Sequence, residues 1–348
     1  MHNIYPYHAK FNKIIPSYFI KNFSKIGDIV LDPFCGCGTT LLEAIKNNRN
    51  AIGIDLSPIG ILCSKVKTSY YDMMKIKMYA NNILESTEEQ MLIPDFPNKD
   101  IWYSDETIKL LGILNYRIKK IQEEKYRNLF LLILLSILNN CARKRKTWNL
   151  GYLADNVLPN EDRKVDVMKS FENKLKQLFK RTDFLKNENI TAQCIESDVN
   201  DITLSNVDLI VTSPPYPFAV DFIRYHRLSL YWLEKNVETI SNKEIGARNK
   251  RNKSNAEEIF FAEMEKTYIH IMKMVKSGGY WCMTIGDTTR QKKKINFVNW
   301  TIDLFQANQW ELISNNVRDL QQQTMAQKRI KQESVLILKK NKKEQIIT

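Results

Sequence analysis

The stretch Ile29–Thr40, IVLDPFCGCGTT, decides the fold of this 348-residue chain. Its apolar start predicts a buried strand, and a helical pattern follows it as far as Lys46. The turn between them carries Gly36 and Gly38, a spacing that lets the backbone approach a ligand closely and aim helix N–H groups at it. The stretch lacks the third glycine of a dinucleotide-binding loop and the Gly-Lys-Ser/Thr of a P-loop, so it indicates another kind of nucleoside site.

Further strand patterns continue the alternation typical of an α/β protein. The run Ala51–Ile54 ends on Asp55, an acid placed to accept hydrogen bonds from ribose hydroxyls. A run at Thr191–Ile195 precedes Asp198, and another occupies Val207–Val211. We therefore predict an α/β, Rossmann-like sheet with a ligand site at the carboxyl ends of its strands.

The last of these runs ends in Thr212-Ser213-Pro214-Pro215-Tyr216. Each proline fixes its own φ and removes a backbone donor, so the peptide is stiff. A flat ring could stack on the tyrosine while its amino group donates to the serine oxygen and to the carbonyl of the first proline. The alternative is a rigid turn with a tyrosine packed in the core.

The patterns divide the chain into four parts. Residues 1–62 and 191–340 carry the α/β elements, and residues 63–190 are predicted to form an inserted, mainly helical subdomain. Within the insert, the apolar run Leu129–Leu138 is too short to cross a membrane and predicts a buried helix. Residues 341–348 form a basic tail that is expected to be disordered.

The remaining patterns predict the elements around the two motifs. The segment 235–256 is polar and basic and is predicted to be a mobile loop, and Ser277–Gly279 is predicted to stop the helix before it. The predicted helices are Ile14–Phe23, Phe222–Leu233, Glu257–Val275 and Asn296–Ala307, and the predicted strands are Tyr280–Ile285 and Ser334–Leu338.

Charge favours a polyanionic partner. The chain has 52 Lys and Arg against 39 Asp and Glu, a net charge of +13. Several basic clusters in a chain with a nucleotide-type fold favour nucleic acid, although a solvated surface explains any single cluster better than a binding site does. The candidate contacts are Arg143, Lys144, Arg145, Lys146, Arg224, Arg227, Arg248, Lys250 and Arg251.

The six cysteines are scattered, which is typical of reduced thiols in a cytoplasmic protein. Cys35 and Cys37 have no second pair to complete a metal site, so no metal is expected. The polar and aromatic start of the chain does not have the pattern of a signal peptide, and we expect a cytoplasmic location.

The glycine stretch and the Ser-Pro-Pro-Tyr peptide together resemble the amino-methylating DNA methyltransferases. The resemblance implies a Rossmann-like sheet that binds S-adenosylmethionine, with the glycine loop around its methionine end and acids at its ribose and adenine. The cofactor residues implied are Lys10, Phe11, Asp32, Pro33, Phe34, Gly36, Gly38, Thr39, Thr40, Asp55, Leu56, Ser57, Asp198 and Val199, and the catalytic residues are Ser213, Pro214, Pro215 and Tyr216.

The resemblance also narrows the target. No Pro-Cys dipeptide supplies the thiolate that cytosine-C5 methylation needs. A tetrapeptide that begins with Ser213 is similar to the cytosine-N4 group, whereas adenine-N6 enzymes more typically begin with aspartate. We therefore expect methylation of cytosine N4 in a base flipped out of double-stranded DNA, with a cognate restriction endonuclease as a further partner. Either the helical insert or the 235–256 segment, or both, would read the DNA sequence.

Three alternatives stay open from the sequence. They are an adenine-N6 DNA methyltransferase, an RNA guanine-N2 methyltransferase, and a non-catalytic protein with a cofactor fold that binds nucleic acid. The acids at Asp32, Asp55 and Asp198 disfavour the last of these, since a protein that binds no cofactor has no need of all three.

Overall fold

The computed structural model describes residues 3–143, 159–181, 185, 190, 192–247, 250, 252–319 and 332–342. The chain divides into two compact units. The first consists of Met1–His8, Lys65–Asn189 and Ile223–Glu238, and the second of Ala9–Ser64, Ile190–Phe222 and Thr239–Thr348.

The second unit is built on a seven-stranded sheet with the order β3-β2-β1-β4-β5-β9-β8. Only β9 runs antiparallel to its neighbours, so the sheet is a mostly parallel, Rossmann-like α/β sheet as predicted. The strands of this sheet are β1 Ile29–Asp32, β2 Asn50–Asp55, β3 Ala192–Glu196, β4 Val207–Thr212, β5 Val275–Ile285, β8 Trp310–Asp319 and β9 Gln332–Lys340. Strands β6 Thr288–Arg290 and β7 Lys293–Ile295 form a separate antiparallel hairpin.

The apolar runs of the sequence become the middle of this sheet. Leu209, Ile210 and Val211 of β4 are fully buried, because a central parallel strand is covered on both faces. On one side the Trp281 ring of β5 meets the Tyr268 ring edge-on at 5.5 Å. Burial of such large rings contributes much of the hydrophobic stabilisation of the unit.

Helices accompany the sheet where the sequence predicts them. The helix expected after the glycine turn begins at Thr39, and the one expected at the start of the chain spans Ile14–Phe23. In the described residues the helices are α1 Ile14–Phe23, α2 Thr39–Lys46, α3 Pro58–Thr68, α4 Met73–Glu85, α5 Lys99–Trp102, α6 Asp105–Lys119, α7 Glu124–Cys141, α8 Val167–Phe179, α9 Phe222–Trp232, α10 Val237–Lys243, α11 Ala256–Met274 and α12 Phe297–Ala307.

The first unit is helical. Side chains start three of its helices: Asp72, Ser104 and Asp166 accept hydrogen bonds from backbone N–H groups in the first turns of α4, α6 and α8. The predicted buried helix is α7, in which Leu129, Leu132 and Leu138 are fully buried. Among the described helices, none has both the length and the apolarity to cross a membrane.

The predicted start of the strand after α11 is wrong, as is the role predicted for Ser277–Gly279. Helix α11 ends at Met274, and Ser277–Gly279 lies inside β5 instead of stopping the helix. The ladder between β4 and β5 skips from Val207–Val275 to Leu209–Tyr280, so these residues form an irregularity in the strand. Gly278 has φ +77°, which favours glycine at this irregularity.

The segment 235–256 is not the continuous loop that was predicted, because α10 lies within it. The Lys250 ammonium donates to the carbonyl oxygens of Asn242 at 2.9 Å and of Glu244 at 2.7 Å, which ties down the end of that helix. The basic tail from residue 343 onwards lies outside the described residues.

Candidate active site and cofactor site

Asp32 ends β1 and connects the two motifs. Thr212, which ends the neighbouring strand β4, donates its hydroxyl proton to Asp32 at 2.7 Å, and the Phe34 N–H donates to the same oxygen at 3.2 Å. Burial raises the pKa of Asp32 to about 6, against the lowering effect of these hydrogen bonds. The pairing of β1 with β4 therefore brings the glycine stretch beside the Ser-Pro-Pro-Tyr peptide.

Asp55 ends β2, and its carboxylate is held by two backbone donors. The Gly36 N–H donates to one oxygen at 2.7 Å, and the Ser57 N–H donates to the other at 2.8 Å. Burial raises the pKa of Asp55 in spite of both donors. Each carboxylate oxygen keeps a second lone pair, so the group can still accept hydroxyl donors from a ligand.

The glycine turn has no room for side chains. Gly38 has φ +71°, and a Cβ placed on it would lie 2.6 Å from the Ser64 Oγ and 2.9 Å from the Ser64 Cα. Gly36 has φ +47°, and its carbonyl oxygen accepts the Ser64 hydroxyl at 3.0 Å. The turn therefore packs directly on α3, and glycine is needed at position 38 for both conformation and space.

Asp198 follows β3 and is the third predicted cofactor acid, after Asp32 and Asp55. Its carboxylate accepts from the Asn200 N–H at 2.9 Å and from the Asn200 side-chain amide at 3.0 Å, which starts a short 3₁₀ turn. Since β3, β2 and β1 are neighbours in that order, the three acids lie at the carboxyl ends of three adjacent strands. Carboxylate acceptors beside a glycine turn fit the hydroxyl and amino groups of S-adenosylmethionine.

The other predicted cofactor residues surround this edge or precede it. Lys10 and Phe11 are half-buried in the segment before α1. Pro33, Thr39, Thr40, Ser57 and Val199 are buried, and Phe34 and Leu56 are half-buried. Across the described ranges, no group of His, Cys, Asp or Glu side chains is arranged to hold a metal ion.

The Ser-Pro-Pro-Tyr peptide leaves β4 with Pro214 buried and Ser213, Pro215 and Tyr216 half-buried. The Ser213 hydroxyl donates to the Tyr216 hydroxyl oxygen at 3.5 Å, the long limit of a hydrogen bond. The Tyr216 hydroxyl in turn lies 3.0 Å from Glu333 Oε1 and 3.2 Å from the Thr284 carbonyl oxygen. Burial and the Glu333 charge raise the pKa of Tyr216 further above its ordinary value.

Sequence reasoning missed these partners of Tyr216. Glu333 belongs to β9, and its other oxygen pairs with the Arg318 guanidinium of β8, whose Nε lies at 3.1 Å. Nothing local in the sequence marks either residue, because β8 itself was not predicted. Their position follows only from the antiparallel pairing of β8 and β9.

The chain after Tyr216 is held from two sides. The Phe218 N–H donates to the Gly246 carbonyl at 2.9 Å, and the Thr288 hydroxyl of β6 donates to the Pro217 carbonyl at 2.8 Å. Nearby, the Glu244 carboxyl accepts the Phe222 N–H at 3.1 Å. Burial, with a contribution from Asp221, raises the pKa of Glu244 to about 8.

The residues predicted to contact nucleic acid differ in their exposure to solvent. Arg224 is exposed on α9, and Arg143 and Arg227 are half-buried. The Lys250 ammonium is engaged by the carbonyls described above. Lys144, Arg145, Lys146, Arg248 and Arg251 lie outside the described residues.

Comparisons with known proteins agree with the motifs. Residues 2–59 match the profile of the DNA methylase family. Type II methyltransferase M.MjaII of Methanocaldococcus jannaschii is 42% identical over 89 residues, which are 26% of this chain and 17% of that protein. M.MvaI of Kocuria varians is 23% identical over 258 residues, which are 64% of this chain and 55% of that protein.

A third type II methyltransferase, M.BsoBI of Geobacillus stearothermophilus, is 25% identical over 284 residues, 70% of this chain and 55% of that protein. The chain thus spans 17% to 55% of the length of these relatives. The DNA methylase match across the glycine turn and these relatives, together with the acids and the peptide at the carboxyl edge of the sheet, support a likeness of this chain to the amino-methylating DNA methyltransferases, whose methyl donor is S-adenosylmethionine.

Proposed function

We propose that this protein transfers a methyl group from S-adenosylmethionine to the exocyclic N4 amine of cytosine in DNA. The observation that supports this most directly is the row of hydroxyl and carboxyl groups formed by Ser213, Tyr216 and Glu333. The direction of the hydrogen bonds within this row determines whether the Ser213 oxygen can accept a hydrogen bond from an amine.

The direction follows from the partners of Tyr216. The Glu333 carboxylate and the Thr284 carbonyl can only accept hydrogen bonds, so the tyrosine proton points to one of them. The raised pKa of Tyr216 keeps that proton on the hydroxyl. Tyr216 can then only accept from Ser213, and the serine lone pairs are left to accept from a third group.

An accepting serine suits an exocyclic amine. The amine lone pair is delocalised into the base ring, so the nitrogen is a weak nucleophile. Hydrogen bonds from its N–H groups to the Ser213 oxygen and the Pro214 carbonyl favour tetrahedral nitrogen and free that lone pair. S-adenosylmethionine, when bound, supplies an already activated methyl group, so the protein's task is alignment. The nitrogen gains the methyl as the sulfur–carbon bond breaks, and one amine proton leaves to water.

The half-buried position of the Ser-Pro-Pro-Tyr peptide requires the target base to leave the DNA helix. A paired base cannot bring its amine to a half-buried serine, so we propose that the base is flipped out and stacks on the Tyr216 ring. The net charge of +13 would hold the phosphate backbone and make binding strongly dependent on salt.

The finer assignments rest on two features. Serine at the first position of the tetrapeptide favours cytosine N4 over adenine N6. The relatives are named type II methyltransferases, and we propose by analogy that the protein modifies DNA alongside a restriction endonuclease.

Transfer of labelled methyl groups tests the reaction. The protein is incubated with tritiated S-adenosylmethionine and with either duplex DNA of mixed sequence or total RNA. We expect label in DNA and none in RNA, and we expect the Ser213→Ala variant to bind the cofactor normally but to lose most of the transfer. Label in RNA alone would contradict DNA as the substrate, and full activity of Ser213→Ala would contradict the role of the serine.

A further inference from the structure

A polar cleft of about 910 Å³ lies at the carboxyl edge of the sheet, beyond the catalytic peptide. It is lined by the β6–β7 hairpin, the first turn of α12, and the adjoining ends of β8 and β9. None of the cofactor or catalytic residues assigned above lines it. Its volume is that of a ligand site rather than of a packing defect.

Five of the fourteen side chains that line this cleft are amides. They are Asn252, Gln291, Asn299, Asn315 and Gln332, and all of them are exposed. The Gln332 amide donates to the Asp319 carboxylate at 3.0 Å. Asparagine and glutamine amides carry a donor and an acceptor side by side, which lets them pair with the edge of a nucleic-acid base. Five such groups around one cleft provide the chemistry for reading bases.

Positive charge stands at the rim. The hairpin turn presents Lys292, Lys293 and Lys294, all exposed. Gln291 and Lys292 hold φ values of +47° and +65°, although asparagine and glycine are favoured in such a turn. The turn therefore carries the long side chains of Gln291 and Lys292 at positions where asparagine or glycine would make the hairpin more stable.

The acid in the lining, Asp287, is paired with a lysine of the cleft. Asp287 accepts the Val298 N–H at 2.9 Å and pairs with the Lys294 ammonium at 2.9 Å. Arg290 is paired with Glu257 at 3.0 Å, so its charge is compensated as well. The exposed Lys292 and Lys293 thus leave the rim positive and suited to phosphates.

The cleft is joined to the catalytic peptide through the hairpin. The Thr288 hydroxyl holds the Pro217 carbonyl at 2.8 Å, and the Arg290 guanidinium lies 5.9 Å from the centre of the Phe218 ring. Both ring and carbonyl follow Tyr216 directly in the chain. A strand whose flipped base reached Ser213 would run its neighbouring nucleotides over this hairpin.

We propose that the cleft binds the DNA nucleotides next to the target base, with its amides contacting base edges and Lys292 and Lys293 contacting phosphates. The inference rests on the proposed methyl transfer to DNA and adds to it the location of a sequence-reading surface. The neighbouring residues Asn315 and Asn316 allow a matched test, because only Asn315 lines the cleft whereas Asn316 lines a groove beside α1.

The test compares Asn315→Ala and Asn316→Ala on a library of duplexes with randomised sequence, followed by sequencing of the methylated positions. We expect Asn315→Ala to relax the preference at one base next to the target and to lower kcat/KM on the preferred sequence by about tenfold, the low end for loss of one bidentate base contact. Asn316→Ala should match the wild type in both respects. Equal sequence preference in all three proteins overturns the assignment of the amides.

The lysines are tested by the salt dependence of DNA affinity. The double variant Lys292→Ala/Lys293→Ala should reduce the slope of log K against log salt by about 1 to 2. Lys25 is exposed just before the start of β1, at the amino ends of the parallel strands, and Lys25→Ala should change the slope much less. An unchanged slope in the double variant overturns the phosphate contacts. A wild-type protein that methylates no duplex contradicts the proposed function and this inference together, whereas an active wild type with unaltered cleft variants contradicts the cleft alone.

Discussion

The Thr212 hydroxyl donates to the Asp32 carboxylate at 2.7 Å, so the residue before Ser213 is bonded to the acid that ends β1. Both side chains are buried, at 0% and 3% exposure, and water cannot replace either partner. The geometry of the glycine turn and that of the Ser-Pro-Pro-Tyr peptide are therefore coupled through one hydrogen bond.

Replacing Thr212 by valine removes this donor from a buried acid. We expect the pKa of Asp32 to rise above about 6, the unfolding free energy to fall by about 1–3 kcal/mol, and S-adenosylmethionine to bind more weakly. Calorimetric titration and denaturant unfolding measure the two effects. Thr212→Ser keeps the hydroxyl and is the control; a valine variant as stable and as tightly binding as the serine variant would show that the bond has no such role.

Glu333 sets the hydrogen-bond direction at Tyr216. Glutamine in its place can turn an NH2 group towards the tyrosine oxygen, which leaves the longer contact to the Thr284 carbonyl as the remaining acceptor of the two and weakens the preference for a tyrosine proton that points away from Ser213. We expect Glu333→Gln to lower kcat by about tenfold, with the dissociation constant of S-adenosylmethionine unchanged. Glu311→Gln, exposed on β8, is the matched control. Unaltered kcat in Glu333→Gln would refute the directional argument.

A comparison of Gly38 with Gly27 distinguishes the effect of steric contact from that of backbone strain. Gly27 has φ +85° with nothing within 4 Å of an added Cβ, whereas at Gly38 the added atom meets Ser64. Gly27→Ala should therefore lose only the backbone preference, about 1–2 kcal/mol, and bind the cofactor normally. Gly38→Ala should be less stable than that and lose cofactor affinity. Equal stability and affinity of the two variants, measured by unfolding and titration, would count against a close-packed glycine turn.

Glu244 predicts a pH dependence of stability. Its pKa is raised from about 4.5 to about 8, so the folded state favours the neutral carboxyl, and the stability this provides is present below pH 4.5 and is lost as the pH rises towards 8. Glu244→Gln keeps an acceptor for the Phe222 N–H and cannot ionise. We expect it to be more stable than the wild type at pH 8 by on the order of 2 kcal/mol, discounted for partial exposure, with little difference at pH 4.5. Thermal unfolding of both proteins at both pH values measures this. The same difference in stability between variant and wild type at pH 8 and at pH 4.5 would contradict the prediction.

The glycine stretch predicted β1, α2 and Asp32, and the ends of two later strand patterns predicted the positions of Asp55 and Asp198, because all these signals are local. An apolar run, a glycine turn and a helical pattern are each read within a dozen residues. The buried helix α7 and the parallel sheet followed from the same kind of pattern, and the structure confirms them.

The partners of Tyr216 could not be predicted in this way. Glu333 lies 117 positions away from Tyr216, and only the pairing of β9 with β5 and β8 brings it to the tyrosine. Strand β8 lacks a clear pattern because it is the edge of the sheet, where Asn315 and Asn316 are both exposed although they point to opposite faces of the strand. The hairpin β6–β7 has the sequence of a lysine run, and its role as the wall of a cleft appears only in three dimensions.

Mass spectrometry of nucleosides tests the central claim most directly. Duplex DNA of mixed sequence is treated with the protein and S-adenosylmethionine that carries a labelled methyl group, and the DNA is then digested to nucleosides. We predict labelled N4-methylcytosine, abolished in the Ser213→Ala variant. Labelled N6-methyladenine would contradict the target assigned to Ser213, and DNA without any label would contradict the proposed reaction itself.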